Sequence, residues 1–260
     1  AIDSVFSIMD STPYIMNLAG GTPLFLIPED ILSSFMKKAQ NNSSFYQYPR
    51  YTQGILPLRN CIAKDLSEEF GYNVSPDNIL ITNGASAALS VIFQGLCNPQ
   101  DEVLVFSPHW FGYVNQIVLA GGKILTVPLD ENNDWDIDFR ATAKVKSKKT
   151  RLLLLTNPAS PTGRVYSSSV IEQLYQFAVE NNITIISDET YRHITLNGSK
   201  FYSIGKIQNS SNNTIIVRSF SKDFSMSGMR LGFIFADKEI IKIISQIHIS
   251  MNMSASVFSQ

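Results

Sequence analysis

In Ile183-Thr184-Ile185-Ile186-Ser187-Asp188-Glu189-Thr190-Tyr191, a short run rich in isoleucine, 183–187, ends abruptly on the carboxylate of Asp188. A run this short, bounded by polar residues, reads as a strand covered on both faces. Comparable runs flank it at 79–82, 102–106, 123–127, 151–156, 214–218 and 231–236. Between them the period changes. Ala85, Ala88, Leu89, Ile92, Phe93 and Leu96 share one helical stripe, and Val170, Ile171, Leu174, Phe177 and Ala178 share another. Ser169-Val170-Ile171-Glu172 fits a capping box and sets the expected start of that second helix. Upstream, residues 30–39 and 56–70 read as helices, the latter closed by Gly71. An isoleucine-rich helix is expected from Asp237 to about residue 249. The expected fold class is α/β, a seven-stranded and mainly parallel sheet sandwiched by helices.

Composition narrows the function classes. The chain has 260 residues, 44% of them apolar, with a net charge of −1. It can bury a sizeable core, and it has no basic excess for nucleic acid and no acidic arm. No apolar run approaches the roughly twenty residues of a membrane helix. Cys61 and Cys97 have no CxxC spacing, which fits a reduced, cytoplasmic protein. His109, His193 and His248 are scattered, so no metal site is expected. The N-terminus lacks a signal-peptide pattern, and Ala1 in place of methionine points to processing or a boundary.

In an open α/β sheet, ligands bind beyond the carboxyl ends of the strands, and the chemically interesting residues fall there. Gly84-Ala85-Ser86 follows the strand ending at Thr82 and opens a helix, so backbone N–H groups and the Ser86 hydroxyl could take an anion. As a turn before a helix it could equally be a plain cap. No G-x-G-x-x-G is present, which disfavours a dinucleotide site. Asp188 at its strand end is open to two readings, a helix cap or a ligand contact. Lys222 lies in Ser219-Phe220-Ser221-Lys222-Asp223-Phe224, with Arg230 shortly after. A partly desolvated lysine beside a cation becomes a competent amine nucleophile. Together, Lys222, Asp188, Arg230 and Ser219 form the protein half of a pyridoxal-phosphate site: an amine for the aldehyde, a carboxylate for the ring nitrogen, and an arginine and a serine for the phosphate. Tyr191 could reach the ring's phenolic oxygen, and Trp110 could stack on the ring or simply fill the core.

On Ser219-Phe220-Ser221-Lys222, Gly228-Met229-Arg230-Leu231-Gly232 and Asp188-Glu189-Thr190-Tyr191, the chain resembles the class I/II (aspartate aminotransferase-like, fold-type I) pyridoxal-phosphate enzymes, from about Asn17 to its last residue. The resemblance implies an aminotransferase acting between an amino acid and a 2-oxo acid. It makes Lys222 the imine-forming lysine, Asp188 the ring-nitrogen partner and Tyr191 the contact to the cofactor's 3′ oxygen. Ala85, Ser86, Ser219 and Arg230 become the phosphate cup, Trp110 the stacking aromatic, and Gly21 the glycine near the substrate carboxylate. Tyr48, with Tyr51 as the alternative, would reach the partner's phosphate, which implies a homodimer with shared sites.

Two departures stand out. The family's asparagine contact to the 3′ oxygen is replaced by Ser160 in Asn157-Pro158-Ala159-Ser160-Pro161-Thr162-Gly163, a shorter donor. Family members also continue past the position of Gln260 into a small domain that carries the carboxylate-clamping arginine. The expected organisation is therefore an N-terminal segment at 1–44 that belongs to the arm or small domain, a cofactor-binding large domain at 45–260, and no C-terminal small domain in this chain, as in a fragment. Two other functions share these features: a pyridoxal-phosphate-dependent lyase, replacement or cyclising enzyme, and a non-catalytic sensing domain.

Overall fold

The structure, a computed structural model, describes residues 2–14, 21, 23 and 25–260. The N-terminal part contributes helices α1 (Ile2–Ser11) and α2 (Glu29–Gln40). Helix α3 (Leu56–Phe70) starts with proline in its first turn, where the missing N–H is harmless, and stops at Gly71 in the left-handed region. Then come β1 (Ile79–Thr82), α4 (Gly84–Leu96), β2 (Glu102–Ser107), α5 (Gly112–Leu119) and β3 (Lys123–Pro128). Helix α6 (Phe139–Val145), β4 (Thr150–Thr156), α7 (Ser168–Glu180) and β5 (Thr184–Asp188) follow. The chain continues through β6 (Thr214–Ser219), the short α8 (Phe220–Asp223), β7 (Gly232–Phe235) and α9 (Lys238–Asn252).

The seven strands form one sheet in the order β1-β7-β6-β5-β4-β2-β3. Pairs among β2 to β6 are parallel, and β7 runs antiparallel to both its neighbours. The connection from β6 to β7 carries only the four-residue α8 and one 3-10 turn, with no helix long enough to cross back over a sheet face as a parallel pair usually needs. Strand side chains alternate between two cores. Ile79, Ile81, Leu153, Leu155, Ile185 and Phe233 pack with α3 and α7 on one face. Leu80, Val103, Leu154, Ile186, Val217 and Ile234 pack with α4, α5 and α9 on the other. Burial on both faces is why the strands lack an apolar/polar alternation.

Helix α5, after β2, lies on the second face, and α7, after β4, lies on the first. Because β2 and β4 are neighbours, the loops that leave their carboxyl ends diverge and open a crevice between them. Asp188 ends β5 beside it. The α7 start differs from the expected capping box. Ser167, two residues before Ser169, is the N-cap and accepts from the Val170 N–H at 3.4 Å. In the run Ser167-Ser168-Ser169, the serine that reaches the third N–H onward is the one that caps. Among the described residues, no helix is long and apolar enough to cross a membrane.

Candidate active site

A cavity of about 230 Å³ opens at this crevice. One end is built to receive an anion. Helix α4 begins at Gly84, and Asn83 makes no side-chain cap, so the first-turn N–H groups are left for a ligand. Gly84 has φ +82°, and a Cβ there would stand 2.7 Å from Nη2 of Arg230. Glycine is what lets the guanidinium lie against the helix start. Arg230 is oriented by donating from Nη1 to the Ser227 carbonyl at 2.9 Å. Gly232, the first residue of β7, is equally tight: a Cβ would meet the Ala85 nitrogen at 2.9 Å and the Arg218 carbonyl at 2.8 Å. That close approach seats α4 directly over the β6–β7 turn. Ala85, Ser86 and Ser219 line the cavity at this end, and the Ser219 hydroxyl caps α8 by accepting from Ser221 N–H at 3.1 Å. Gln116 from α5 steadies Ser86, with Nε2 2.9 Å from its carbonyl and 3.2 Å from its hydroxyl.

The same cavity also holds a carboxylate. Asp188 is buried and lines the cavity. Burial raises its pKa, against hydrogen bonds from Thr190 and Tyr113 that favour the ionised form. A cation placed beside it would relieve that burial cost. Lys222, the third residue of α8, lines the same cavity. Its Nζ donates to the Gly21 carbonyl and lies 5.9 Å from the centroid of the Tyr191 ring. Burial, and then the charge of Arg230, lower its pKa. Trp110 lines the same space, held edge-on to Tyr113 with ring centroids 5.2 Å apart. Burial and then the Asp188 charge push the Tyr191 phenol up, with the Ser160 hydroxyl working the other way.

Nine of the expected residues thus line one cavity: Ala85, Ser86, Trp110, Ser160, Asp188 and Tyr191, and with them Ser219, Lys222 and Arg230. Gly84 touches its anion end. Gly21 stands at its mouth, where a Cβ would lie 3.6 Å from Lys222 Nζ and 3.9 Å from the Tyr191 hydroxyl. Its neighbours Gly20 and Thr22, and Asn17 where the resemblance begins, lie outside the described residues. Tyr48 is apart from the cavity. It is 81% exposed and lies in a separate surface groove beside Asn252, whose side chain is 3.5 Å from that of Asn83. Tyr51 is also exposed, with the guanidinium of Arg59 5.9 Å from its ring centroid.

Sequence reasoning missed Tyr113 and Thr190, the donors that hold Asp188. Both had a signal. Thr190 stands two residues after the aspartate, the spacing of a local Asx turn, and Tyr113 stands in the first turn of α5, three residues after Trp110.

Residues 13–260 match the family described as Aminotransferase class I and II, and the chain belongs to it. It is 34% identical to an aspartate aminotransferase of Thermotoga maritima over 90% of this chain and 61% of that protein. It is 31% identical to an asparagine–oxo-acid transaminase of Streptococcus mutans, covering 90% and 59% respectively. Among solved structures, the aspartate aminotransferase of Thermus thermophilus with maleate superposes with a TM-score of 0.92 at 28% identity, over 100% of this chain and 66% of that one. The chain spans about three fifths of the length of these curated relatives. Members of this family use pyridoxal 5′-phosphate. That cofactor carries a phosphate, a basic ring nitrogen and an aldehyde, and the one cavity offers an anion-receptive helix start with Arg230, a buried carboxylate and an amine.

Proposed function

We propose that the chain is the cofactor-holding part of an aminotransferase that moves an amino group between an amino acid and a 2-oxo acid. One observation carries this reading: an amine of lowered basicity, Lys222, lines one cavity together with an anion-receptive helix start, Arg230 and a buried carboxylate, Asp188. When bound, pyridoxal phosphate supplies an aldehyde that condenses with amines and a ring that takes up carbanion charge.

In this reading the α4 start, Ser86, Ser219 and Arg230 bind the phosphate. Asp188 holds a proton at the ring nitrogen, because a buried carboxylate stabilises the cation beside it. Tyr191 and Ser160 orient the 3′ oxygen, and Trp110 covers one face of the ring and excludes water. Lys222 Nζ holds the cofactor, then removes the Cα proton of the amino acid and returns it as an acid. Its depressed pKa keeps a larger share of the amine neutral for that task. Gly21, whose carbonyl already meets Lys222, marks the entry of the substrate carboxylate.

Residues 45–260 are read as the large domain and 1–44 as part of the arm or small domain. The active form is a homodimer in which Tyr48, exposed on a groove that reaches Asn83 through Asn252, contacts the phosphate held by the partner. A cytoplasmic setting agrees with Cys61 and Cys97 as free thiols, the latter pushed up to about 11 by burial and by Asp101.

The test is a two-stage titration of the protein loaded with pyridoxal phosphate. An amino acid alone should bleach the cofactor's visible absorbance, and a 2-oxo acid should restore it. Product release without an oxo acid would instead indicate elimination or replacement. Cofactor binding with no response to any amino acid would indicate a sensor. A borohydride-fixed adduct at any residue but Lys222 would end the proposal.

A further inference from the structure

An unbroken chain of buried and half-buried opposite charges links the residue after Asp188 to the residue after Lys222. Arg218, in β6, is 1% exposed and donates from Nε to Glu189 Oε2 at 2.9 Å. Its Nη1 and Nη2 donate to the two oxygens of Glu69, on α3, at 2.6 and 2.9 Å. Glu69 also faces Arg192, whose Nη1 is 3.4 Å away. Arg192 in turn donates from Nε to Asp223 Oδ2 at 2.9 Å. Glu189 receives further hydrogen bonds from Ser203 at 2.8 and 3.0 Å.

Stability alone does not account for this arrangement. Well-packed apolar side chains in place of a buried ion network are commonly as stable or more so. What the network adds is direction, since each carboxylate can meet its arginine in only a narrow set of geometries. The two ends differ in their need for it. Glu189 is already held by the sheet, its N–H donating to the Val217 carbonyl at 2.9 Å. Lys222 and Asp223 sit on a helix of only four residues, followed by Ser225 at φ +55°. The Asp223 side chain is 3% exposed, and its Oδ1 has no hydrogen-bond partner among the described residues. Its Oδ2 meets Arg192 at 2.9 Å, with exposed His193 at 3.9 Å.

We propose that Arg192 and Glu69 are positioning residues for the amine-transfer reaction, tying the short helix that carries Lys222 to the strand end that carries Asp188 and so setting the separation of amine and carboxylate. They touch neither cofactor nor substrate, and the inference rests on the function proposed above. Arg192→Met would cut the tie at its Asp223 end while leaving the Arg218–Glu189 pair intact.

The experiment measures kcat, KM and the Cα-deuterium isotope effect per mole of Lys222-linked cofactor in the full-length protein, for the wild type, Arg192→Met, Arg192→Lys and Glu69→Gln. Counting only loaded sites separates misplacement from misfolding, because a purely structural lesion lowers the loaded fraction and not the rate per loaded site. Arg192→Met and Glu69→Gln should lower kcat per loaded site about ten- to hundredfold, the cost of small misplacement of reacting groups. KM should stay within about twofold, the isotope effect should rise as proton removal becomes limiting, and Arg192→Lys should recover part of kcat. Wild-type kcat per loaded site in Arg192→Met and Glu69→Gln would overturn the proposal. If Arg192→Met fails to fold, Arg192→Lys and Glu69→Gln decide alone, and wild-type rates in both would overturn it. Absence of a Lys222 adduct in the wild type would instead defeat the function on which the proposal rests.

Discussion

The Tyr113 hydroxyl donates to Oδ2 of Asp188 at 2.8 Å, across 75 positions of sequence. Thr190 holds the other oxygen, with its hydroxyl at 2.6 Å and its N–H at 3.1 Å from Oδ1. Burial, and then the charge of Asp188, push the Tyr113 phenol well above its ordinary value, so it stays protonated and a donor at any pH at which the protein works. Three donors thus fix a carboxylate that burial alone would drive toward its neutral form.

Tyr113→Phe removes one of those donors and leaves the ring in place. The ionised form of Asp188 then loses support and its pKa rises further. A hydrogen bond to a charged group contributes about 1.5–3 kcal/mol, so affinity for pyridoxal phosphate should fall by roughly ten- to hundredfold. Thr156→Ala, which removes only the hydroxyl 3.0 Å from the same phenol, should do much less. Cofactor titration of the three proteins by fluorescence checks both expectations.

Lys222 should react as an amine at lower pH than an ordinary lysine. Its folded pKa lies below 10.5, chiefly through burial and secondly through Arg230. Between that folded value and 10.5 the unfolded chain holds a proton that the native one has lost, so this group's penalty on stability is whole at low pH and fades as pH rises through the window. Arg230→Gln removes only the smaller cause and should move the reactivity midpoint part of the way up. The rate of Lys222 labelling by an amine reagent against pH, in the cofactor-free protein, measures it. An unchanged midpoint would leave burial as the sole cause.

Much of this was legible in the sequence because apolar runs and their polar ends report the sheet directly. Asp188, Ser219 and Lys222 stand where strands stop, and the sheet gathers such ends at one edge. Strand direction was not legible: β7 is as apolar as the parallel strands of the sheet, although it runs antiparallel to both its neighbours. The partners of Asp188 were hidden for a related reason, since Tyr113 reaches it through the fold and not along the chain. Arg218 gave a clearer hint that went unread. A guanidinium at the end of Ile215-Ile216-Val217 in a covered strand has to be paired, and Glu189 and Glu69 are its partners.

Arg218→Met should cost about 3–5 kcal/mol in urea unfolding, because it leaves Glu189 buried and uncompensated. The double variant Arg218→Met/Glu189→Met should recover most of that loss, and a failure to recover would show that geometry outweighs charge. Glu69 adds a pH signature. Burial works against its charge, but Arg218 and Arg192 prevail and its pKa is lowered below 4.5. Its contribution is therefore full above 4.5 and is lost as pH falls through the folded value, so Glu69→Gln should flatten the acid side of the stability profile.

Gly84→Ala tests the anion end by itself. The residue has φ +82°, where a side chain costs about 1–2 kcal/mol, and the new Cβ would stand 2.7 Å from Nη2 of Arg230. The guanidinium must swing away from the α4 start, and the first-turn N–H groups lose their partner in holding a phosphate. Affinity for pyridoxal phosphate should drop at least tenfold, about 1.4 kcal/mol, while the affinity for pyridoxal, which lacks the phosphate, should change little. Parallel titrations of the two ligands separate the cases. An equal loss for both would mean that the substitution disturbs Lys222 or Asp188 and that the cradle is not where the phosphate binds.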